Sequence, residues 1–524
     1  MFIDHSFFGF ARSGILNDNV EYPALLISDR DISYDDSGLN ILREKQALTM
    51  QFDMLLKGNS TNSLIPLEDY VIIPNGSQLL LKARDIINTI NAARDKYGYS
   101  KLVYLQGVSD PYLLPILVYM GVSLFDSSLF ELRGLKGEKF TSIGIVKTGT
   151  DASRKNVNFC NDLLKSLSIS IANGTLRDVV ERFQFSNKAS EILRILDSKF
   201  YSTSEQFFPR RTPRISASSL DSLNRPDLVR YREYISKSYR KPEDRNIALL
   251  LPCSARKPYS SSKSHKMIIN ALGKLRQFVH EVIVTSPVGL VPRELEVTYP
   301  PGFYDIPVTG NWFEEEKQMI GSMLGSFFKN NNYTRVISFV TEDLSFIEKF
   351  LPTRNVFIRW DKSNNASLDE LVSTIREIIS AENLQPIRHN FTLERYIQIA
   401  TYQFGEWIVP YLKEAKIKRI YNSDMLMLNG DPILVYNERL GKFTINKRSA
   451  QWFLENKKFC VEIDDFKPTA NVYPVGILGA TEDIRQEDEV VLYHGGEVRG
   501  VGITKMPINA MLQLKKGTAV KVRN

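Results

Sequence analysis

The chain has 524 residues, too many for one hydrophobic core, so three or four domains are expected. Hydrophobic and charged fractions of 43% and 24% are ordinary for a folded protein in water, and the lack of any run of eighteen apolar residues or of a signal-peptide pattern argues against membrane insertion or secretion. A net charge of +7 admits nucleic acid as a partner without demanding it, and three widely spaced cysteines (Cys160, Cys253 and Cys460) make neither a disulfide framework nor a zinc site and suit a reducing cytoplasm.

Residues 1 to about 225 read as mixed α/β, with apolar strands at Tyr70–Ile73, Leu102–Leu105 and Ile143–Val146 and a helical pattern from Leu81 to Lys96. The segment Pro209-Arg210-Arg211-Thr212-Pro213-Arg214 has linker composition. Arg225, Arg230, Arg232, Lys237, Arg240 and Lys241 make the region that follows basic, so contact with RNA phosphates and a plain solvated connector both remain open. Next comes Ile247-Ala248-Leu249-Leu250-Leu251, an unbroken apolar run of the kind a buried parallel strand needs. Ile268, Leu272, Leu275 and Val279 then recur at helical spacing, with Ser262 or Ser264 as N-cap. Further strands at Glu281–Thr285, Val336–Val340 and Val356–Ile358 alternate with helices at Trp312–Lys329 and Leu368–Ser380, which predicts a doubly wound sheet. From about residue 457, short β segments with turn glycines suit a small barrel.

The strand-to-helix connection after Leu251 concentrates chemistry. Cys253, Lys257, Tyr259, His265 and the serines Ser254, Ser260, Ser261, Ser262 and Ser264 lie within thirteen positions, where open α/β sheets place ligands. A thiol at the strand end is open to activation by Lys257 or by a helix N-terminus. His265, in the first helical turn, is disfavoured as imidazolium and suits a neutral base. The serines and free backbone N–H groups suit an anion. Each residue alone has an unremarkable reading, as a small buried hydrophobe, a cap or a loop; their coincidence is what core packing does not require. The second strand of the sheet ends near Arg293, Glu294 and Glu296, which a parallel arrangement brings beside this loop. A carboxylate there suits a substrate ammonium and Arg293 a carboxylate or phosphate.

Pro252-Cys253, three residues, Lys257-Pro258-Tyr259, two residues, Ser262, two residues, His265 is similar to the signature of the archaeosine synthase family, archaeal paralogues of tRNA-guanine transglycosylase. The resemblance extends over nearly the whole chain. Val103–Thr141 resembles the later strands of the transglycosylase (β/α)8 barrel, with Asp126 where that family keeps its nucleophilic carboxylate, and Leu176–Tyr201 resembles the helical end of the barrel. The Ser-Gly-Gly-rich segment with the partner aspartate and the structural zinc ligands are missing, so Asp126 is not counted as catalytic and base exchange is disfavoured. The resemblance implies an α/β multidomain chain. Its parts are a degenerate TIM-barrel-like transglycosylase domain (1–225), a doubly wound α/β catalytic domain (226–387), a small α+β domain (388–450) and a C-terminal PUA β-barrel (451–524).

It also implies a cytoplasmic transferase that adds an amine to the nitrile of 7-cyano-7-deazaguanine at position 15 of tRNA. Free L-lysine, through its side-chain amine, is the favoured donor; glutamine is the alternative, and a non-catalytic tRNA-binding subunit is the competing class. A radical S-adenosylmethionine enzyme is expected as partner, a homodimer is left open, and no metal or other cofactor is called for. Cys253, Lys257, Tyr259 and His265 are the expected catalytic residues. His265 is read as base and Tyr259 or Lys257 as proton donor, with Cys253 either forming a thioimidate or lining the pocket for direct amine attack. Ser254, Ser260, Ser262, Ser264, Arg293 and Glu294 are expected to bind substrate. Lys505, Lys515, Lys516, Lys521 and Arg523 are the candidates for RNA phosphates.

Overall fold

In the computed structural model, the apolar run after Arg245 forms the strand Ile247–Pro252, and all six of its side chains are buried. It can be apolar on both faces because it is central. Val279–Thr285 and Arg335–Val340 pair with it in parallel on either flank. Asn355–Arg359 extends one side in parallel, and Gly289–Pro292 closes the other edge antiparallel to its neighbour. Helices Lys263–Leu272 and Ala366–Ala381 share an apolar cluster with one face, including Leu249, Leu251, Ile268, Phe339 and Leu371. Helix Glu314–Asn330 stands outside that cluster and packs on the edge strand Gly289–Pro292 and on the turn Glu342–Phe350. Four of the five strands run parallel with helices between them, an α/β layout.

The structure describes residues 1–17, 20–26, 31–35, 38–43, 64–242, 245–307, 309–386, 391–421 and 423–523. The expected boundary at 387/388 lies outside the described residues. The chain forms two compact units, residues 214–458 and residues 1–213 together with 459–524. In the first, the central sheet is followed by an antiparallel meander of Lys416–Ile420, Ser423–Leu428, Asp431–Asn437 and Lys442–Ile445. One face of it buries Leu426, Leu434, Tyr436, Phe443 and Ile445 beside helices Phe391–Phe404 and Lys447–Glu455.

In the second unit, Ala24–Leu26, Val122–Asp126, Leu102–Leu105 and Tyr70–Ile73 form a parallel sheet, with Ile65–Pro66 antiparallel at the edge. Helices Ala83–Tyr97, Ser153–Ala172 and Asn187–Lys199 contribute to its core. The strand expected at Ile143–Val146 is present as Gly144–Lys147, paired antiparallel with Glu138–Thr141 in a two-stranded hairpin of its own. Asp126 is buried and accepts hydrogen bonds from the backbone N–H groups of Gly107 (2.7 Å) and Ser128 (3.1 Å), as a structural aspartate does. The C-terminal residues form a six-stranded mixed sheet, including Cys460–Ile463, Glu489–His494, Glu497–Thr504 and Val520–Arg523. This sheet is tied to the N-terminal part. Arg210 grips the Asp488 carboxylate (2.9 and 3.0 Å), Tyr99 N–H donates to Gln513 (2.7 Å), and Gln486 donates to the Phe7 carbonyl (2.7 Å).

The linker reading of Arg210 therefore gives way to a structural one. Arg225 is likewise buried against Asp227, Arg232 donates to the carbonyls of Pro287 and Leu223, and Lys237 pairs with Glu233. Much of the basic segment holds the fold.

The second unit also buries a charge cluster. Arg177 is fully buried, bidentate to Asp197 (2.9 and 2.6 Å) and bonded to Glu181 (2.6 Å). Removing one member of such a cluster strands the others in low dielectric. Arg177→Ala is therefore expected to cost this unit about 3–5 kcal/mol in a denaturant titration.

Candidate active site

The motif loop leaves the carboxyl end of Ile247–Pro252, and its conformation is set by three anchors. Ser262 caps helix Lys263–Leu272 by accepting the His265 backbone N–H (3.2 Å), which decides between the two expected caps. That helix stops at Gly273, whose φ of +47 admits a residue without Cβ. Leu275 and Val279, expected on the same helix, fall in a following turn and at the start of the next strand. The second anchor is Glu296, which accepts the Ser260 backbone N–H (2.9 Å).

The third anchor is Arg293. Its guanidinium donates to Glu281 (2.7 Å), to Glu296 (2.9 Å) and to Nδ1 of His265 (2.8 Å). Burial opposes ionisation of Glu281, yet Arg293 and Arg276 outweigh it and hold its carboxyl down to about 2. Arg293 thus fastens the loop. Its donors are spent on protein groups, not on a substrate carboxylate or phosphate. Glu294, expected beside it, turns away and pairs with Tyr239 and His280.

His265 is fully buried. Its Nδ1 accepts from Arg293, which places the proton on Nε2, and Nε2–H donates to the Pro252 carbonyl (3.0 Å). Burial, reinforced by the Arg293 charge, lowers its pKa to about 4. The ring is neutral, as expected, but both nitrogens are engaged, so the geometry gives His265 a positioning role and no free lone pair for a base. Its folded pKa lies below the ordinary 6.5, so the unfolded chain binds more protons between pH 6.5 and 4. Stability of this unit should fall as pH drops through that window, by roughly 3 kcal/mol from His265 alone. Urea titrations at pH 7 and pH 4.5 should show the loss, and a smaller one in His265→Gln.

The opposite side of the loop carries the open chemistry. Cys253 is half-buried, and its sulfur is hydrogen-bonded to the Thr285 hydroxyl. Burial pushes the thiol up, with Thr285 and Lys257 only partly opposing, so the expected thiolate is not the resting form. Burial also lowers the Lys257 ammonium, which lies 3.9 Å over the Tyr304 ring. Tyr259 is buried, with its hydroxyl 2.8 Å from that of Tyr304, which is 2.6 Å from Thr285. Tyr259 also hydrogen-bonds Thr285 and acts electrostatically on the thiol. Of the two expected proton donors, Lys257 is the more exposed, its ammonium donating to the Ala255 carbonyl (3.5 Å). Of the serines, Ser262 is spent on the cap, Ser264 sits 3.2 Å from it, Ser260 is bonded through its backbone, and Ser254 donates to the Arg256 carbonyl (3.0 Å).

Sheet order locates the site. The chain steps to one flank of Ile247–Pro252 with Val279–Thr285 and to the other with Arg335–Val340. The crevice at this switch point opens between the carboxyl ends of the first strand and Arg335–Val340. Cys253 follows the first and Asp343 the second, and Asp343 and Lys362 both act electrostatically on the thiol. Trp312 donates through its indole N–H to Asp343 (3.0 Å). Thr285, Asp343, Lys362 and Trp312 were not singled out from the sequence, because only strand order brings them to Cys253. A separate cavity of about 800 Å³ in this unit reaches Pro258 and Ser260 but is not lined by Cys253 or Lys257.

In the other unit, two of the expected RNA-binding residues are already paired, Lys505 with Glu487 (2.7 Å) and Arg523 with Glu489. Lys515, Lys516 and Lys521 are exposed. Among the described residues no helix is long and apolar enough to cross a membrane.

The chain thus combines an α/β domain, which carries a thiol and an amine at its switch point, with a small C-terminal β domain in the other unit. Residues 465–524 match the PUA domain family, and residues 228–377 match a family described as a domain of unknown function (DUF5591). The archaeosine synthase subunit alpha of Thermoplasma acidophilum is 50% identical over 523 residues, covering 100% of both chains. That of Methanosarcina acetivorans is 28% identical, covering 87% of this chain and 79% of its own. A solved protein of unknown function aligns at 25% identity and a TM-score of 0.46 with 56% of this chain and 98% of its own. The chain belongs to the archaeosine synthase subunit alpha family.

Proposed function

We propose that the chain modifies tRNA in archaeosine biosynthesis, joining the side-chain amine of free lysine to the nitrile of 7-cyano-7-deazaguanine at position 15. The observation that carries this reading is Cys253 at the switch point with Lys257 and Asp343 beside it, in a chain of this family. A nitrile carbon yields to a nucleophile only when its nitrogen receives a proton, and an amine attacks only when deprotonated. Cys253 adds its sulfur to the nitrile carbon while its proton passes, by way of Lys257, to the nitrile nitrogen, giving a thioimidate. The lysine amine then adds to that carbon, the thiol leaves with one amine proton, and an N-substituted amidine remains. Lys257 suits the shuttle because burial has already weakened its hold on a proton. His265, Arg293 and Glu296 hold the loop that carries both groups.

One observation favours a second route. Burial raises the Cys253 pKa, which suits a thiol that lines the pocket while the amine attacks directly. In either route a radical S-adenosylmethionine partner would process the adduct. The N-terminal parallel sheet, taken as the remnant of a transglycosylase barrel, and the PUA domain would hold the tRNA.

The test is mass spectrometry of nucleosides after incubating the protein with nitrile-bearing tRNA and isotope-labelled lysine. A labelled adduct is expected. Amidine formed from glutamine would replace the donor, and no product with either would favour a non-catalytic tRNA-binding subunit.

A further inference from the structure

The small sheet of the 214–458 unit has an edge that the reaction above does not use. Among the described residues, strand Lys416–Ile420 pairs with the meander on one side only. Four of its five residues are exposed, Lys416, Lys418, Arg419 and Ile420, and Tyr421, which follows, is 92% exposed. Lysines on an edge strand are a common guard against stray strand pairing. That purpose explains Lys416 and Lys418. It does not explain Ile420 and Tyr421, which add apolar surface at the edge they should protect.

Side chains alternate along a strand, so Lys416, Lys418 and Ile420 share one face and Arg419 lies on the other, with Tyr421 in the turn that follows. Arg419 is 3.9 Å from Asp424 and largely exposed, and Arg419 and Ile420 line the cavity of about 800 Å³. Arg395, in the same lining, has a buried Nε without a hydrogen-bond partner. Glu414 is the acidic residue near the start of the strand, and it is exposed. Cations interleaved with an exposed ring fit a polyanion whose bases stack.

We propose that Lys416, Lys418, Arg419 and Tyr421 form an RNA-docking edge that contacts the tRNA backbone and stacks one unpaired base, separately from the PUA domain. The inference rests on tRNA being the substrate. Its partner is RNA and not protein because the edge presents three cations with a ring in six positions.

The experiment measures tRNA affinity of the full-length chain against salt for Lys416→Glu/Lys418→Glu, the milder Lys416→Gln/Lys418→Gln, and Tyr421→Ala. The charge-reversal variant should bind roughly tenfold more weakly, and its plot of log K against log salt should flatten by about 1–2. Tyr421→Ala should lose about fivefold or more with the slope unchanged. Wild-type affinity and slope in all three variants would overturn the inference, as would a change in oligomeric state with unaltered tRNA binding, which would assign the edge to a protein partner. Failure of the wild-type chain itself to bind tRNA would instead bring down the proposed function.

Discussion

Cys253→Ala is expected to reduce lysine transfer to nitrile-bearing tRNA by at least about 10³-fold, with tRNA affinity unchanged. The reason is positional. In the covalent route proposed above, Cys253 is the nucleophile at the crevice between the first strand and Arg335–Val340, and the hydroxyls nearest it, Thr285 and Tyr304, are bonded to one another (2.6 Å). If the thiol forms a thioimidate, alanine removes the first of two steps, and hydroxylamine trapping of wild-type enzyme without lysine should report a tRNA-linked species absent from the variant. If the amine attacks directly, Cys253→Ala keeps substantial turnover, and that result alone would sink the covalent route. Lys257→Met is the companion. Loss of a general acid–base group costs roughly 10²–10⁴-fold, and the loss should fall in kcat and not in KM for tRNA. Because burial lowers the Lys257 pKa and raises that of Cys253, the wild-type rate should climb with pH as the first of the two groups loses its proton and fall again once both have titrated, since the nitrile nitrogen then has no proton donor.

Arg293→Ala should be the most damaging change away from the thiol. Arg293 is buried and bonded to Glu281, Glu296 and His265 together, so alanine leaves Glu296 in low dielectric without its cation and Glu281 with Arg276 alone. Breaking a buried pair by removing one partner costs about 3–5 kcal/mol. The 214–458 unit should lose that much in a denaturant titration, and hydrogen exchange at the Ser260 amide, held by Glu296, should speed up. Arg293→Lys should recover little, because one ammonium cannot reach three acceptors in a fixed fork. If Arg293 bound substrate instead, the variant would keep its stability and lose only affinity.

The motif loop was legible for a physical reason. A run of apolar residues long enough for a doubly covered strand, followed by a cluster of reactive side chains and then by helical spacing, carries both the local structure and the chemistry in consecutive residues. The strands at Tyr70–Ile73 and Leu102–Leu105 and the cap at Ser262 were equally local and came out as expected. Misreadings came where local pattern and tertiary partner disagree. Val279 fits a helical period but belongs to a strand, because Gly273 ends the helix first. Arg210 has the look of a linker cation, but its partner Asp488 lies 278 positions away.

The sequence by itself determined the sheet's inner strands, the loop and the residues it offers for catalysis, since backbone propensity and apolar periodicity act over neighbours. Only the tertiary structure decided what those residues are free to do. Arg293 sits in the turn that follows edge strand Gly289–Pro292, yet it takes up the lone pair of His265 that a base would need. Strand order sets Asp343 and Thr285 beside Cys253, and burial, which no spacing records, raises the thiol and lowers the amine.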